Sequence, residues 1–441
     1  MRAARIPLCL FLIAAAGVAT TTPATAAAAA DTRQSAAPLA GTQAIALRIR
    51  ELASGQVEDF YASRGFWPLW AANGKIGPEA DMLVGFLETA DLDGLAPSSY
   101  KVDELVALNR LSRGGDADAV ARAELGLSRA FAAYVRDMRR RSRVRMDYAD
   151  PTLKPRKLRV EAVLRAAALP KSFGNYMKTM GWMSPHYLRL RNLLAQAEKQ
   201  GASEEDRDRI RLNMDRARLL PGPAVRHIVV DAASGRLWYY QAGEQLGMMK
   251  VVVGAAETQT PMLAGMMRYA IINPYWNVPV YLAQNKIAPK ILAGRTLKSM
   301  GMEVLSDWSA QPQVLDGATV DWASVAARKQ EVRLRQLPGR DNSMGRVKFM
   351  FPNDEGIYLH DTPDRELFAE KDRHFSNGCI RLEDAARLGK WLLGRPVAGI
   401  SKQPEHVVAL SAPVPVYLTY LTATPTEKGA GFLKDVYGRD R

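Results

Sequence analysis

Residues 358–382 read YLHDTPDRELFAEKDRHFSNGCIRL, and the chemistry-bearing residues of the chain gather there. The stretch holds His360 and His374, two of five histidines, and Cys379, one of two cysteines in 441 residues. The other, Cys9, falls in a segment laid out like a secretory signal peptide. Arg2 and Arg5 open it, Ile6 to Val18 is apolar, and Ala24-Thr25-Ala26 offers a small-residue cleavage site. Its removal leaves one thiol, preceded by Gly378, with histidines 19 and 5 residues before it.

A free thiol has a pKa of about 8.5, so little of it is thiolate at neutral pH. A histidine that takes the proton, or nearby positive charge such as Arg373 and Arg381, changes that. A lone Cys with His elsewhere is therefore a candidate nucleophile and base. Two other readings remain open. Free cysteine is often simply buried, and His360, His374 and Cys379 could hold zinc, although the chain has no C-x-x-C. Export favours a working thiol, because a single cysteine cannot form an internal disulfide in an oxidising compartment.

The residues L-H-D-T-P, then R-H-F-S-N-G-C-I-R, resemble the signature of the YkuD-type L,D-transpeptidases. The resemblance implies Cys379 as nucleophile, His360 as base, and Ser376 and Gly378 in the motif, with the carbonyl of Asp361 orienting the histidine. Where the family has a histidine two residues before the cysteine, this chain has Asn377. It further implies acyl transfer on peptidoglycan stem peptides, in peptidoglycan synthesis and the maintenance of cell shape. Terminal D-alanine leaves a third-position diaminopimelate, and the acceptor is a second stem, a wall protein or water. Oxyanion donors are expected at the backbone N–H groups of Gly378 and Cys379. Arg381 is a candidate for a substrate carboxylate, or else it packs on Glu383 or Asp384. His374 is a rival base. No metal, organic cofactor or nucleic acid is expected. A non-catalytic wall-binding protein and a zinc hydrolase are the competing classes.

Outward from this stretch, Leu382 to Leu393 reads as an amphipathic helix stopped by Gly394 and Pro396, placing Cys379 just before a helix N-terminus whose dipole favours thiolate. Pro221-Gly222-Pro223 marks a domain boundary. After it, His227–Val230, Arg236–Gln241, Gln245–Val253, Met267–Ile272, Gly345–Phe351 and Val414–Leu421 read as strands. Residues 281–340 form an insertion that reads as a lid, and INPYWNVP with LPGRDNSMGRVKFMFPN resembles the stretches bracketing a capping subdomain. Tyr275 and Trp276 are candidates for its groove, or core residues.

Before the boundary the pattern is helical, at Glu79–Asp91, Ala119–Arg141, Val160–Ala168 and Tyr187–Lys199. The aromatic cluster from Phe60 to Trp70 reads as core. This half resembles the helical scaffold domain of larger periplasmic L,D-transpeptidases, without the wall-binding module that many relatives insert. The fold class is α+β and multidomain: a helical N-terminal scaffold domain, then a β-rich YkuD catalytic domain of mixed β-sheets with an inserted helical capping subdomain. The expected boundaries are a signal peptide at 1–30, a leader at 31–43, the scaffold at 44–220, the catalytic domain at 224–423 with its cap at 281–340, and a tail at 424–441. Net charge is +14. Its densest run, Arg136 to Arg145, reads as a solvated helix face or a peripheral contact with an anionic envelope. No segment after the leader is apolar enough to span a membrane, and the expected location is the periplasm or cell envelope.

Overall fold

A computed structural model describes residues 41–139, 142–427 and 429–441. The signal peptide and most of the leader lie outside the described residues. Among the described residues no helix is long and apolar enough to cross a membrane.

The scaffold is built around α1 (Ala117–Met138), which Asp116 starts by accepting from the Ala119 N–H at 2.9 Å. Apolar side chains at helical spacing (Val120, Leu127, Phe131, Tyr134, Met138) turn inward, where Phe131 meets Trp70 and Trp182 edge to face. Phe60, Tyr61 and Trp70 of the aromatic cluster are buried there, whereas Trp67 is exposed. Helices α2 (Pro185–Lys199) and α3 (Glu204–Arg218) follow with a short turn between them. Ser184 and Ser203 cap them, and the first turn of α3 is acidic and its last basic, in line with the helix dipole.

After Pro223 the chain becomes a closed sheet. Its strands are β1 (His227–Asp231), β2 (Arg236–Gln241), β3 (Glu244–Gly254), β4 (Leu263–Ile272), β5 (Val347–Met350), β6 (Leu359–His360), β7 (His374–Ser376), β8 (Ile380–Leu382) and β9 (His406–Thr419). The order β5-β6-β8-β3-β2-β1-β9-β4 returns to β5, so this circuit has no free edge. β6 with β8 and β1 with β9 are parallel, and β7 joins the end of β3 in parallel. Alternate residues Ile228, Val230, Leu237, Met249, Val251 and Val253 fill the interior, together with Leu388 and Leu392 of α5 (Ala385–Leu393). The opposite face of β1 and β2 (Val229, Trp238, Tyr240) packs with Met146 and Leu220 from the scaffold side, so β1 is buried along its whole length.

Two expectations change here. The basic run is not simply a solvated face, since Arg139 donates to the carbonyls of Trp182, Arg218 and Leu220 at the domain junction. The stretch after Cys379 is strand β8, and the helix begins only at Ala385 behind its Asp384 cap. The helix dipole, which fades within a turn, therefore does not act on the thiol.

The cap carries its own antiparallel sheet, running from Trp276–Val278 through Arg333–Gln336 and Met302–Leu305 to Val314–Leu315, over a small core that includes Ile287, Trp322 and Leu334. A helix α4 covers residues 280–292 and contains one π turn at Ala283–Ile287. Pro289 has no N–H to give the Asn285 carbonyl, which accounts for the widened turn. The C-terminal residues form a packed segment. Asp440 pairs with Arg209 and Arg216 of α3, and Tyr437 stacks on Tyr420.

Candidate active site

The parallel pairing of β6 with β8 aligns Leu359 with Ile380 and His360 with Arg381. Side chains alternate along a strand, so Leu359 and Ile380 enter the core, both fully buried. Tyr358, His360, Cys379 and Arg381 then share the other face. That face is the floor of a cavity of about 980 Å³ whose opposite wall is the cap. A one-residue slip of either strand would turn its two members of this set inward.

His360 is 2% exposed. Its Nδ1 lies 2.6 Å from the Asp361 carbonyl and donates to it, which leaves Nε2 as the lone-pair nitrogen. The Asp361 carboxylate points elsewhere, accepting from the Arg346 N–H and from Arg365. Burial, then the charges of Arg381 and Lys348, lower the His360 pKa to about 3, so the ring is neutral at pH 7.

The Cys379 thiol is half-buried and donates to the Gly356 carbonyl, with Sγ···O at 3.6 Å. Burial pushes its pKa up, against the pull of the Tyr358 N–H, the Tyr358 hydroxyl and Arg381. The resting pair is thus thiol and neutral imidazole, not thiolate and imidazolium.

The turn before Cys379 is held from behind. Gly378 sits at φ +104°, where an L side chain is strained, and an added Cβ would come 3.0 Å from Ile357. The Ser376 hydroxyl accepts from the Gly378 N–H at 3.2 Å and donates to the Cys379 carbonyl at 2.6 Å. Thr260, fully buried, donates to the Gly378 carbonyl at 2.8 Å, and Thr258 to that of Ser376 at 2.9 Å. Tyr437 in turn accepts from the Thr260 N–H at 3.3 Å and donates to the Gly254 carbonyl at 2.7 Å.

Other candidates divide. Asn377 is exposed in the cavity wall, and Trp276 lines it too. Tyr275 lies instead under the Arg335 guanidinium, 4.2 Å from its ring centre. Arg381 pairs with Asp364 at 2.6 Å, not with Glu383 or Asp384. The Gly378 N–H is engaged by Ser376, which leaves only the Cys379 N–H of that expected pair open to a ligand. His374 is turned away, its ring nitrogens on Asp372 and the Ala232 carbonyl and its edge on Tyr437, so it joins neither a base nor a zinc site with Cys379. Arg373 is buried against the carbonyls of Ser234, Gly235 and Val251. Among the described residues no three His, Cys, Asp or Glu side chains gather as metal ligands.

Sequence reading passed over Tyr358, Thr260, Tyr437 and Tyr281, which lines the cavity from the cap. Tyr358 was legible, two residues before His360 on a strand and hence on its face. The others come from distant segments with no local signal.

Residues 225–416 match the L,D-transpeptidase catalytic domain family (YkuD), and residues 55–194 match the scaffold domain family. A provisionally named L,D-transpeptidase of Haemophilus influenzae is 33% identical over 243 residues, 53% of this chain. The chain spans about half that relative's length, 48%. An L,D-transpeptidase from Mycobacterium smegmatis is 13% identical, with a TM-score of 0.22 over 44% of this chain and 58% of its own. The Ldtfm–avibactam carbamoyl enzyme is 13% identical, with a TM-score of 0.21 over 45% and 49%. These two structural likenesses are too slight to carry weight.

Proposed function

We propose, for a chain that belongs to the L,D-transpeptidases by its catalytic and scaffold domains, that Cys379 carries acyl groups of peptidoglycan stem peptides between amines outside the cytoplasm. His360 Nε2 takes the thiol proton as Sγ bonds to the carbonyl carbon of the third-position diaminopimelate. The oxyanion forms beside the Cys379 N–H. The C–N bond to the terminal D-alanine breaks, the proton on Nε2 goes to the departing amine, and a thioester remains. A second stem amine then attacks, His360 takes its proton, and the proton returns to Sγ as the cross-link is released.

The observation that carries this reading is the β6–β8 register, which gives thiol, imidazole and Arg381 one cavity floor while the Asp361 carbonyl fixes the imidazole tautomer. Neutral His360 beside a neutral thiol suits general-base activation during attack, with no standing thiolate.

The test is incubation of the purified protein with a diaminopimelate-containing disaccharide-tetrapeptide, following products and intact protein by mass spectrometry. Loss of D-alanine, a thioester on Cys379 and a dimeric product are expected. D-alanine release without dimer would shift the acceptor to water or a wall protein. A folded protein with an accessible thiol and no adduct would sink the enzyme reading. Export is tested separately by fractionating cells for a chain that lacks its first residues.

A further inference from the structure

The cap wall of the cavity is strongly basic. Lys286, Lys290, Arg295, Lys298 and Arg340 line it, and Asp341 is the one acid among the lining residues. All five cations are exposed, and none of them has an ion pair among the described residues. In the same subdomain Arg335 pairs with Glu303. Lys286 and Lys290 are four residues apart along α4, an arrangement that destabilises a helix. The π turn that holds Lys286 is itself a distortion of the kind found at functional sites. A helix that keeps like charges adjacent and turns them toward the nucleophile's cavity has a ligand as its natural counter-charge.

We propose that the cap cations bind the free carboxylates of the stem peptide, so that this protein selects stems with unamidated carboxyl groups. The inference rests on the acyl-transfer reading for its ligand but concerns recognition alone. A carboxamide of the same shape keeps every apolar contact but loses the charge and puts an N–H donor where the carboxylate had an acceptor, so discrimination comes from Coulomb attraction and acceptor count at the cavity mouth. That attraction is screened by salt, with a Debye length of about 10 Å at 0.1 M.

The test measures binding without turnover. Calorimetry on full-length Cys379→Ala protein compares the free-acid tetrapeptide stem with its amidated form, at low and high salt. The expected result is about tenfold tighter binding of the free acid at low salt, from several exposed pairs acting together. High salt should erase the gap, and so should Lys286→Gln/Lys290→Gln/Lys298→Gln in the same background, with affinity for the amidated stem unchanged. Equal affinity for the two stems, a preference that survives in the triple variant, or no binding of either stem would overturn the proposal. Failure of the acylation assay with the unmodified protein, beside a charge-selective binding curve, would strike the enzyme reading and leave this one standing.

Discussion

Two buried polar clusters in this molecule serve opposite ends. In the scaffold, Asp93 accepts from the Tyr134 hydroxyl at 2.6 Å, the Tyr187 hydroxyl at 2.8 Å and Arg191 Nε at 3.0 Å, while Arg191 also reaches the Thr89 carbonyl and hydroxyl. Both carboxylate oxygens are occupied, and the pair is sealed from solvent. At the cavity floor His360 is as deeply buried, yet only its Nδ1 is committed, and the thiol on the same face donates only one long bond, to a carbonyl. Saturated partners make a buried charge a rivet, and an open lone pair facing a cavity makes it a reagent.

The largest expected break in this contrast is at the reagent. Cys379→Ala should abolish acyl-enzyme formation with no loss of thermal stability, read by mass spectrometry and a melting curve. His360→Ala should lower the acylation rate by about 10²–10⁴-fold, the usual worth of a positioned base. His374→Ala should cost far less activity and more stability, because its ring braces the Asp372 and Ala232 segments. A large acylation loss at His374 with little at His360 would reverse the assignment.

At the rivet the effect should appear in stability alone. Asp93→Asn strands the Arg191 guanidinium in the scaffold core, and removing one partner of a buried pair costs about 3–5 kcal/mol. Urea unfolding should register that loss, while acylation per folded molecule stays near the parent value. An unchanged midpoint would mean that the tyrosine hydroxyls alone carry the site.

Both regions were legible to different depths. The aromatic cluster, the long helix and the first strands follow from periodicity, because each answers to its own nearest neighbours in sequence. The pair His360 and Cys379 was legible from motif and scarcity. The Asp93 cluster was not, since its partners are spaced across about a hundred residues and each reads locally as an ordinary helix position. Arg139 was misjudged for the same reason: a run of arginines looks solvated until the junction it enters is known. The helix expected from Leu382 begins only at Ala385, because Ile380–Leu382 completes the closed sheet, a tertiary demand that overrides local pattern.

Acid distinguishes the clusters in another way. Burial lowers the pKa of His186, which meets Tyr240 at the domain junction, to about 3, and that of His227 to about 4, alongside His360. Below the ordinary histidine pKa of about 6.5 the unfolded chain binds protons that the folded chain refuses. Stability should therefore fall as pH drops from about 6.5 toward 4. Asp231, buried and raised to about 6, opposes this by a smaller shift, because its folded form takes a proton first. Urea midpoints measured across that range should decline, and a flat profile would contradict the histidine burial. The alkylation rate of Cys379 with iodoacetamide should keep climbing through the alkaline range, whereas a plateau near neutrality would reveal a standing thiolate.

The smallest effect tests whether the scaffold reaches the reagent. The chain from Arg216 through Asp440, Asp435, Tyr420 and Tyr437 to Thr260 and Gly378 runs from a scaffold helix to the turn before Cys379 in hydrogen bonds of ordinary length. Thr260→Val keeps the shape and removes both the donor to the Gly378 carbonyl and the acceptor for the Gly254 N–H. A hydrogen bond nets about 1 kcal/mol, so roughly a fivefold loss is expected if it serves the transition state. Because the turn sets the aim of Sγ and not the shape of the groove, the loss should fall on kcat with KM nearly unchanged. Thr260→Ser should restore it, and Tyr437→Phe should reproduce part of it from the other end. A lowered melting temperature with kcat intact would make the network structural alone.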